Sequence, residues 1–158
     1  MKTLQIERQA KPRVGSRSIS LMYYTKKYQE SLSRLREGDL WVTIVMGAAL
    51  GAESEREQSI ALLREGKYHE LFSRIENSPV DHLIRTEILM AAAARIEREQ
   101  FEREILEALI EGCKNIYKLT LMLIKEGDKS WKTKAIEAAQ GAGIEKKQYE
   151  REVAEALT

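Results

Sequence analysis

The side chains most able to do chemistry near neutral pH are two histidines and one cysteine, His69, His82 and Cys113. The histidines lie in "KYHEL" and "VDHLI", and no HExxH motif or cysteine pair completes a zinc-binding set around them. No histidine lies within helical reach of Cys113, so nothing in the sequence would activate it as a nucleophile. We therefore expect ordinary surface or capping histidines, a small buried cysteine and no catalytic residues.

Glutamates at helical spacing could bind two metal ions inside a helical bundle, which is a second kind of chemistry. Such sites use Glu-x-x-His pairs that project inward, and neither His69 nor His82 has a glutamate three residues before it. The sequence also lacks a glycine-rich phosphate loop and a dinucleotide-binding fingerprint. We therefore predict a non-enzymatic protein without a metal or cofactor.

The helices that would hold these residues show a repeat. Residues 96–109, "IEREQFEREILEAL", return at residues 144–157 as "IEKKQYEREVAEAL", with nine of fourteen positions identical. Trp41 and Trp131 are 90 residues apart, and so are Gln58 and Gln148. Self-similarity with a period of about forty residues is typical of stacked helical units. The alternative is coincidence, since helices rich in Glu, Arg, Ala and Leu resemble each other without a common origin.

Composition and turn residues predict an all-α fold in a single domain, residues 21–158. Charged residues form 32% of the chain and only two residues are proline, a balance that favours helices. Single glycines and one Asn-Ser-Pro stretch separate the periodic segments and mark helix ends. The predicted ends are Gly38, Gly66, residues 77–79, Gly112, Gly127 and Gly143. These divisions give about seven helices.

Three helices per unit, a period in the forties and an alanine-rich last helix resemble the armadillo and HEAT class of α-solenoids. The resemblance covers about residues 28–158. It implies a right-handed stack of roughly two and a half three-helix repeats, and a compact helical bundle is the alternative fold. The core residues predicted for the stack are Trp41, Ile44, Ile88, Leu89, Ile105, Leu109, Leu121, Ile124, Trp131 and Ile136.

The resemblance implies a binding or scaffold module that holds another protein in the groove or along the edge of a short solenoid. The last unit stops after its first helix, so no following unit would cover its apolar stripe. That stripe consists of Tyr149, Val153, Ala156 and Leu157. We predict that this end makes a homodimer or a contact with a protein partner.

Positive charge is concentrated in the N-terminal segment, which supports nucleic-acid binding as the alternative function. Residues 1–20 have no apolar period and contain a proline, a glycine and three serines, so we predict a flexible arm. Residues 1–27 carry a net charge of +6, and their basic residues are Lys2, Arg8, Lys11, Arg13, Arg17, Lys26 and Lys27. These could neutralise phosphates while Tyr23 and Tyr24 stack on unpaired bases. The other reading is a tail that docks on the acidic body of the protein.

The C-terminal segment "AIEAAQGAGIEKKQYEREVAEAL" is similar to a bacterial helix-turn-helix, with a small-residue helix, a glycine turn and a second helix. A helix that lies in a DNA groove should be net basic, because phosphates line the groove. This second helix carries four glutamates against three basic residues. Its charge therefore favours protein binding over recognition of the major groove.

Cysteine usage and hydropathy also predict the cellular location of the protein. The single cysteine cannot form an internal disulfide and no signal-peptide pattern is present, so we expect a cytoplasmic protein. The longest apolar run, residues 40–52, is shorter than the roughly twenty residues needed to cross a bilayer, which predicts a buried helix and no membrane role. Abundant Glu, Lys and Arg with few asparagines is the bias of thermophilic proteins, so we expect a thermophilic source.

Overall fold

The computed structural model describes residues 14–38, 40–78 and 84–158, which are helical apart from short turns. These residues form eight α-helices and one short 3-10 helix, Lys129–Trp131. The α-helices are α1 Val14–Glu37, α2 Leu40–Leu50, α3 Glu53–Arg64, α4 Tyr68–Glu76, α5 Arg85–Ala93, α6 Arg98–Lys125, α7 Lys132–Gly141 and α8 Lys146–Leu157. The predicted all-α class is confirmed, and the described residues contain one α-helix more than the seven predicted.

The helices pack around two neighbouring apolar clusters. The first cluster joins α1, α2, α4 and the N-terminal half of α6, and Phe72 and Phe101 are among its largest side chains. The second cluster joins the C-terminal half of α6 with α7 and α8, and it includes Tyr117 and Val153. Helix α6, with 28 residues, is long enough to contribute to both clusters. Ile144, in the turn before α8, packs against both as well.

Helices α1 and α6 cross closely at two glycines. A Cβ atom on Gly112 would clash with the backbone oxygen of Leu35, and one on Gly38 would clash with the backbone oxygen of Gly112. Gly38 has a φ of +80°, a left-handed conformation that glycine adopts without a side-chain clash and that ends α1. The two glycines therefore let the backbones of α1 and α6 touch.

Several predicted helix ends are confirmed, and two predicted boundaries are wrong. Gly38, Gly66, Gly127 and Gly143 each follow a helix with a positive φ. Helix α1 begins at Val14 instead of near Leu21, because Gly15 lies in its first turn and the serines that follow lower helix stability only moderately. Helix α6 continues through Gly112, because α1 contacts it there. Two helices of the predicted three-helix unit are thus one continuous helix.

The predicted core is partly confirmed. Three of its ten residues are buried, Ile105, Leu109 and Ile124. Five are partly buried and pack against the clusters, Trp41, Ile88, Leu121, Trp131 and Ile136. The prediction is wrong for Ile44 and Leu89, which are 47% and 65% exposed. They lie in α2 and α5, whose sequences do not separate an inward face from an outward one.

The repeated segments form the same turn twice. Residues 94–97 connect α5 with α6, and residues 142–145 connect α7 with α8. The second residue of each turn is left-handed, with a φ of 61° at Arg95 and 72° at Gly143. The isoleucine that follows donates its backbone N–H to the carbonyl five residues earlier, at 2.9 Å in the first turn and 3.0 Å in the second. The same left-handed residue and hydrogen-bond pattern also end α3 and α6, so this turn is a common helix ending and does not by itself mark the repeat.

Candidate binding groove

A groove of about 460 Å³ lies between the C-terminal half of α6 and α8. Tyr117 and Leu121 of α6 and Ile144 from the preceding turn provide its apolar surface. The α6 side also carries Lys114, Lys118 and Lys125, and the α8 side carries Gln148, Glu152 and Glu155. The groove therefore combines apolar side chains with one basic wall and one acidic wall.

Helical periodicity places the groove residues on facing surfaces. Positions 114, 118, 121 and 125 of α6 are three or four residues apart, so their side chains share one face of the helix. Positions 148, 152 and 155 of α8 share a face for the same reason. Within the described part of the chain, none of the three lysines forms an ion pair. Their charges are therefore free to meet a bound molecule.

One hydrogen bond fixes the two walls of the groove to each other. The hydroxyl of Tyr117 donates to Oε1 of Glu152 at 2.6 Å, and the side-chain amide of Gln148 donates to Oε2 at 3.4 Å. Burial, and then the neighbouring carboxylate, raise the pKa of Tyr117 above its usual range. Tyr117 therefore stays protonated near neutral pH and keeps donating to Glu152.

The same arrangement occurs once more in the fold, where α1 meets α6. The hydroxyl of Tyr28 donates to Glu104 at 2.7 Å, and the amide of Gln100 donates to the other oxygen of that carboxylate at 3.3 Å. Gln100 and Glu104 occupy the positions of Gln148 and Glu152 in the repeated segment. Sequence analysis missed both contacts, although the tyrosines begin similar segments, "YQESLSRLREG" and "YKLTLMLIKEG".

The apolar stripe predicted as a partner interface is covered by the chain itself. Tyr149, Val153 and Ala156 are only 6%, 3% and 6% exposed, because α8 packs against α6 and α7 in the second cluster. Leu157 is partly buried against the same cluster. The expectation that this stripe lies open is therefore wrong, since α6 and α7 already supply the surface that a following unit was expected to provide.

The structure describes only part of the predicted basic arm. Lys2, Arg8, Lys11 and Arg13 lie outside the described residues. Arg17 is in α1, and Lys26 and Lys27 are exposed further along the same helix. Lys27 lies 3.6 Å from the carboxylate of Glu30 and 5.5 Å from the centre of the Tyr23 ring. Of the residues predicted to contact nucleic acid, the structure thus brings Lys27 and Tyr23 together.

His69 lies beside a buried carboxylate of α6. Its Nδ1 is 2.8 Å from Oε1 of Glu102, which is 3% exposed, and Nε of Arg98 donates to Oε2 at 3.0 Å. Arg98 also pairs with Glu76 of α4. The cluster therefore links α4 to α6 through charge-assisted hydrogen bonds. His82 lies outside the described residues.

Replacing His69 is expected to change stability in a pH-dependent way. The hydrogen bond and the charge of Glu102 raise the pKa of His69 above its ordinary value of 6.5, with Glu70 assisting slightly and Arg98 opposing. Because the folded state holds the proton more tightly, this stabilisation is fully present below the unfolded pKa and is lost as the pH rises through the raised pKa. Denaturation of His69→Gln should show a clear loss of stability at about pH 5.5 and a smaller one at about pH 9. A loss that is independent of pH would contradict this assignment.

Cys113 is buried, as the sequence predicts. Burial raises the pKa of its thiol to about 12, so the thiol stays protonated at neutral pH. A Cβ atom on Gly141 would lie 2.7 Å from Sγ of Cys113, which shows how tightly α7 packs on α6 here. Among the described residues, no three His, Cys, Asp or Glu side chains form a group that could hold a metal ion.

Comparison with known proteins gives no relative from which a function could be transferred. No protein-family model, curated protein or solved structure matches the chain. In the described parts of the chain, no helix has both the length and the hydropathy needed to cross a membrane. The function must therefore be inferred from the surfaces of the described helices.

Proposed function

We propose that this protein is a non-enzymatic binding module whose groove between α6 and α8 holds a segment of another protein. The groove carries the proposal, because it combines an apolar surface with two walls of opposite charge. Its volume of about 460 Å³ lies within the range of roughly 300–1,000 Å³ that is usual for ligand sites. A site of this size holds a few anchoring side chains of a peptide.

The charges of the walls define the partner. An amphipathic helix that lies in a groove places its apolar side chains at helical spacing against the floor. Acidic side chains on one flank of that helix would meet the lysines of α6, such as Lys118, and basic ones on the other flank would meet Glu155 of α8. The partner segment therefore carries acidic and basic residues on opposite sides of a short apolar stripe.

A helical-repeat origin is part of the proposal. The two Tyr–Glu–Gln arrangements support two related units, one formed by α1, α5 and the N-terminal half of α6 and one by the C-terminal half of α6 with α7 and α8. In this interpretation the units stack as in armadillo and HEAT-like solenoids, which bind proteins along extended surfaces. The interpretation supports a binding role without naming a partner.

Selection of displayed random peptides for binding to the immobilised protein tests whether the groove binds peptides. We expect enrichment of amphipathic peptides, and Lys118→Glu should weaken their binding at least about ten-fold, because it reverses a charge that faces the bound segment. Lys132→Glu is the matched control, since it makes the same charge change at an exposed position of α7 away from the groove. Fluorescence anisotropy measures both affinities. The proposal fails if no peptide is enriched, or if both variants weaken binding equally.

A further inference from the structure

A second cavity, of about 400 Å³, lies where α3 approaches the N-terminal turn of α8. The basic side chains that line it are Arg56 and Arg64 of α3 and Lys146 and Lys147 of α8. Two carboxylates, Glu57 and Glu145, line it as well. Within the described part of the chain, none of these basic residues forms an ion pair. The lining therefore carries a net positive charge of two, and its cations have no carboxylate partner.

Both arginines of this basic cavity have hydrogen-bonding capacity to spare. Nη1 of Arg56 donates to the side-chain oxygen of Gln140 at 3.3 Å, while Nε of Arg56 is buried and has no hydrogen-bond partner. Nε of Arg64 donates to the backbone oxygen of Gly143, also at 3.3 Å. A guanidinium group has five N–H donors, and a buried donor without an acceptor is costly. Arg56 therefore has a buried donor for which the chain supplies no acceptor, and the remaining N–H groups of the exposed Arg64 are available to a ligand.

Comparison of the two copies of the repeated segment shows that unpaired cations at the start of the helix occur in the second copy and not in the first. In α6 the residue equivalent to Lys146 is Arg98, whose charge is balanced by Glu76 and Glu102. The next residue is Glu99 in α6 and Lys147 in α8, which is the one reversal of charge in the fourteen repeated positions. Cations are unfavourable near a helix N-terminus, because the helix dipole is positive there. Helix α8 therefore begins with two unpaired lysines, whereas α6 begins with an ion-paired arginine and a glutamate at the equivalent positions.

We propose that the basic cavity binds a phosphate group. Phosphate oxygens accept several charge-assisted hydrogen bonds at once, and arginine and lysine side chains are the donors that proteins use for them. An incoming phosphate would supply acceptors to Arg56 and Arg64 and would offset the repulsion among the four cations. The phosphate comes from a small phosphoanion or from a nucleic-acid backbone, which have this chemistry in common. The site adjoins the α6–α8 groove at Ile144 but has different charged residues, and it does not depend on the function proposed for that groove.

Calorimetry with inorganic pyrophosphate and anisotropy with a labelled DNA duplex test the site on the full chain. We expect saturable binding of at least one probe, weakened roughly ten-fold in Lys146→Gln/Lys147→Gln, because two charge-assisted contacts are removed. The matched control is Lys129→Gln/Lys132→Gln, which removes the same charge from two exposed lysines, one in the 3-10 helix before α7 and one at the first residue of α7. Circular dichroism checks that both double variants keep the helical content of the wild type.

The two probes separate the sources of the phosphate. Pyrophosphate binding that depends on Lys146 and Lys147 supports a small phosphoanion ligand. DNA binding with the same dependence, in the absence of pyrophosphate binding, supports a phosphate of a nucleic-acid backbone. Absence of binding by both probes at low salt overturns the proposal, and so does an equal loss of binding in the control variant. Either negative result leaves the peptide-binding test of the groove unaffected.

Discussion

Replacing Gly112 by alanine is expected to destabilise the protein by about 1–3 kcal/mol, because overpacking a close contact forces the backbone to shift. Alanine is the better helix former, and in an open helix this change would gain about 0.5–1 kcal/mol. At Gly112 the added Cβ atom meets the backbone oxygen of Leu35 and approaches Gly38, and no side-chain rotation can move these atoms away. Helix α1 must therefore move off α6, which loosens the first cluster.

Gly47 provides the matched control for this prediction. It lies inside α2, and a Cβ atom there meets no other atom within 4 Å. Gly47→Ala should stabilise the protein by about 0.5–1 kcal/mol, since only the helix preference changes. Guanidinium denaturation followed by circular dichroism measures both variants. The close crossing of α1 and α6 would be refuted if Gly112→Ala were as stable as the wild type.

The helix ends that the sequence predicts correctly depend on local chemistry. Gly38, Gly66 and Gly127 end helices because a left-handed residue follows each helix, and glycine is the residue that adopts this conformation most easily. Gly112 also follows a charged helical segment, but it lies inside α6 and contacts the end of α1. That contact joins residues more than seventy positions apart, and no local pattern distinguishes the two uses of glycine.

Burial is predictable where a helix has one polar face. Helix α6 alternates charged and apolar residues with helical spacing, so Ile105 and Leu109 are identified correctly as core. Helix α2 is apolar nearly all round and α5 has no single polar face, so their hydrophobic pattern cannot show that Ile44 and Leu89 point outward. In such helices the packing of neighbours decides which side is buried.

The candidate sites are less predictable from the sequence than the helices or the core. The apolar stripe of α8 was identifiable from spacing, but what covers it depends on how α7 folds back onto α6. The groove contact between Tyr117 and Glu152 joins positions 35 apart, and the cavity contact between Arg56 and Gln140 joins positions 84 apart. Nothing in the local sequence around any of these residues indicates its partner. Only the packed structure makes them neighbours.

Replacing Phe101 by alanine is expected to cost about 3–5 kcal/mol of unfolding free energy, the usual range for a large buried aromatic side chain. Phe101 is 2% exposed, and its ring centre lies 5.5 Å from that of Phe72 and 6.2 Å from that of Tyr28. Its loss leaves a cavity where α1, α4 and α6 meet. Leu119→Ala, a truncation at a half-exposed position of the same helix, should change stability by no more than about 0.5 kcal/mol.

The same variant also tests whether the two clusters unfold together. Phe101 belongs to the first cluster, but α6 runs through both, so loss of its N-terminal half removes the support that the second cluster packs against. Trp41 packs against the first cluster and Trp131 against the second, so variants that retain one tryptophan report on each separately. With Phe101→Ala, we expect the midpoints of both fluorescence transitions to move to a lower denaturant concentration by the same amount. A shift of the Trp41 transition alone would show that the C-terminal helices form an independent unit.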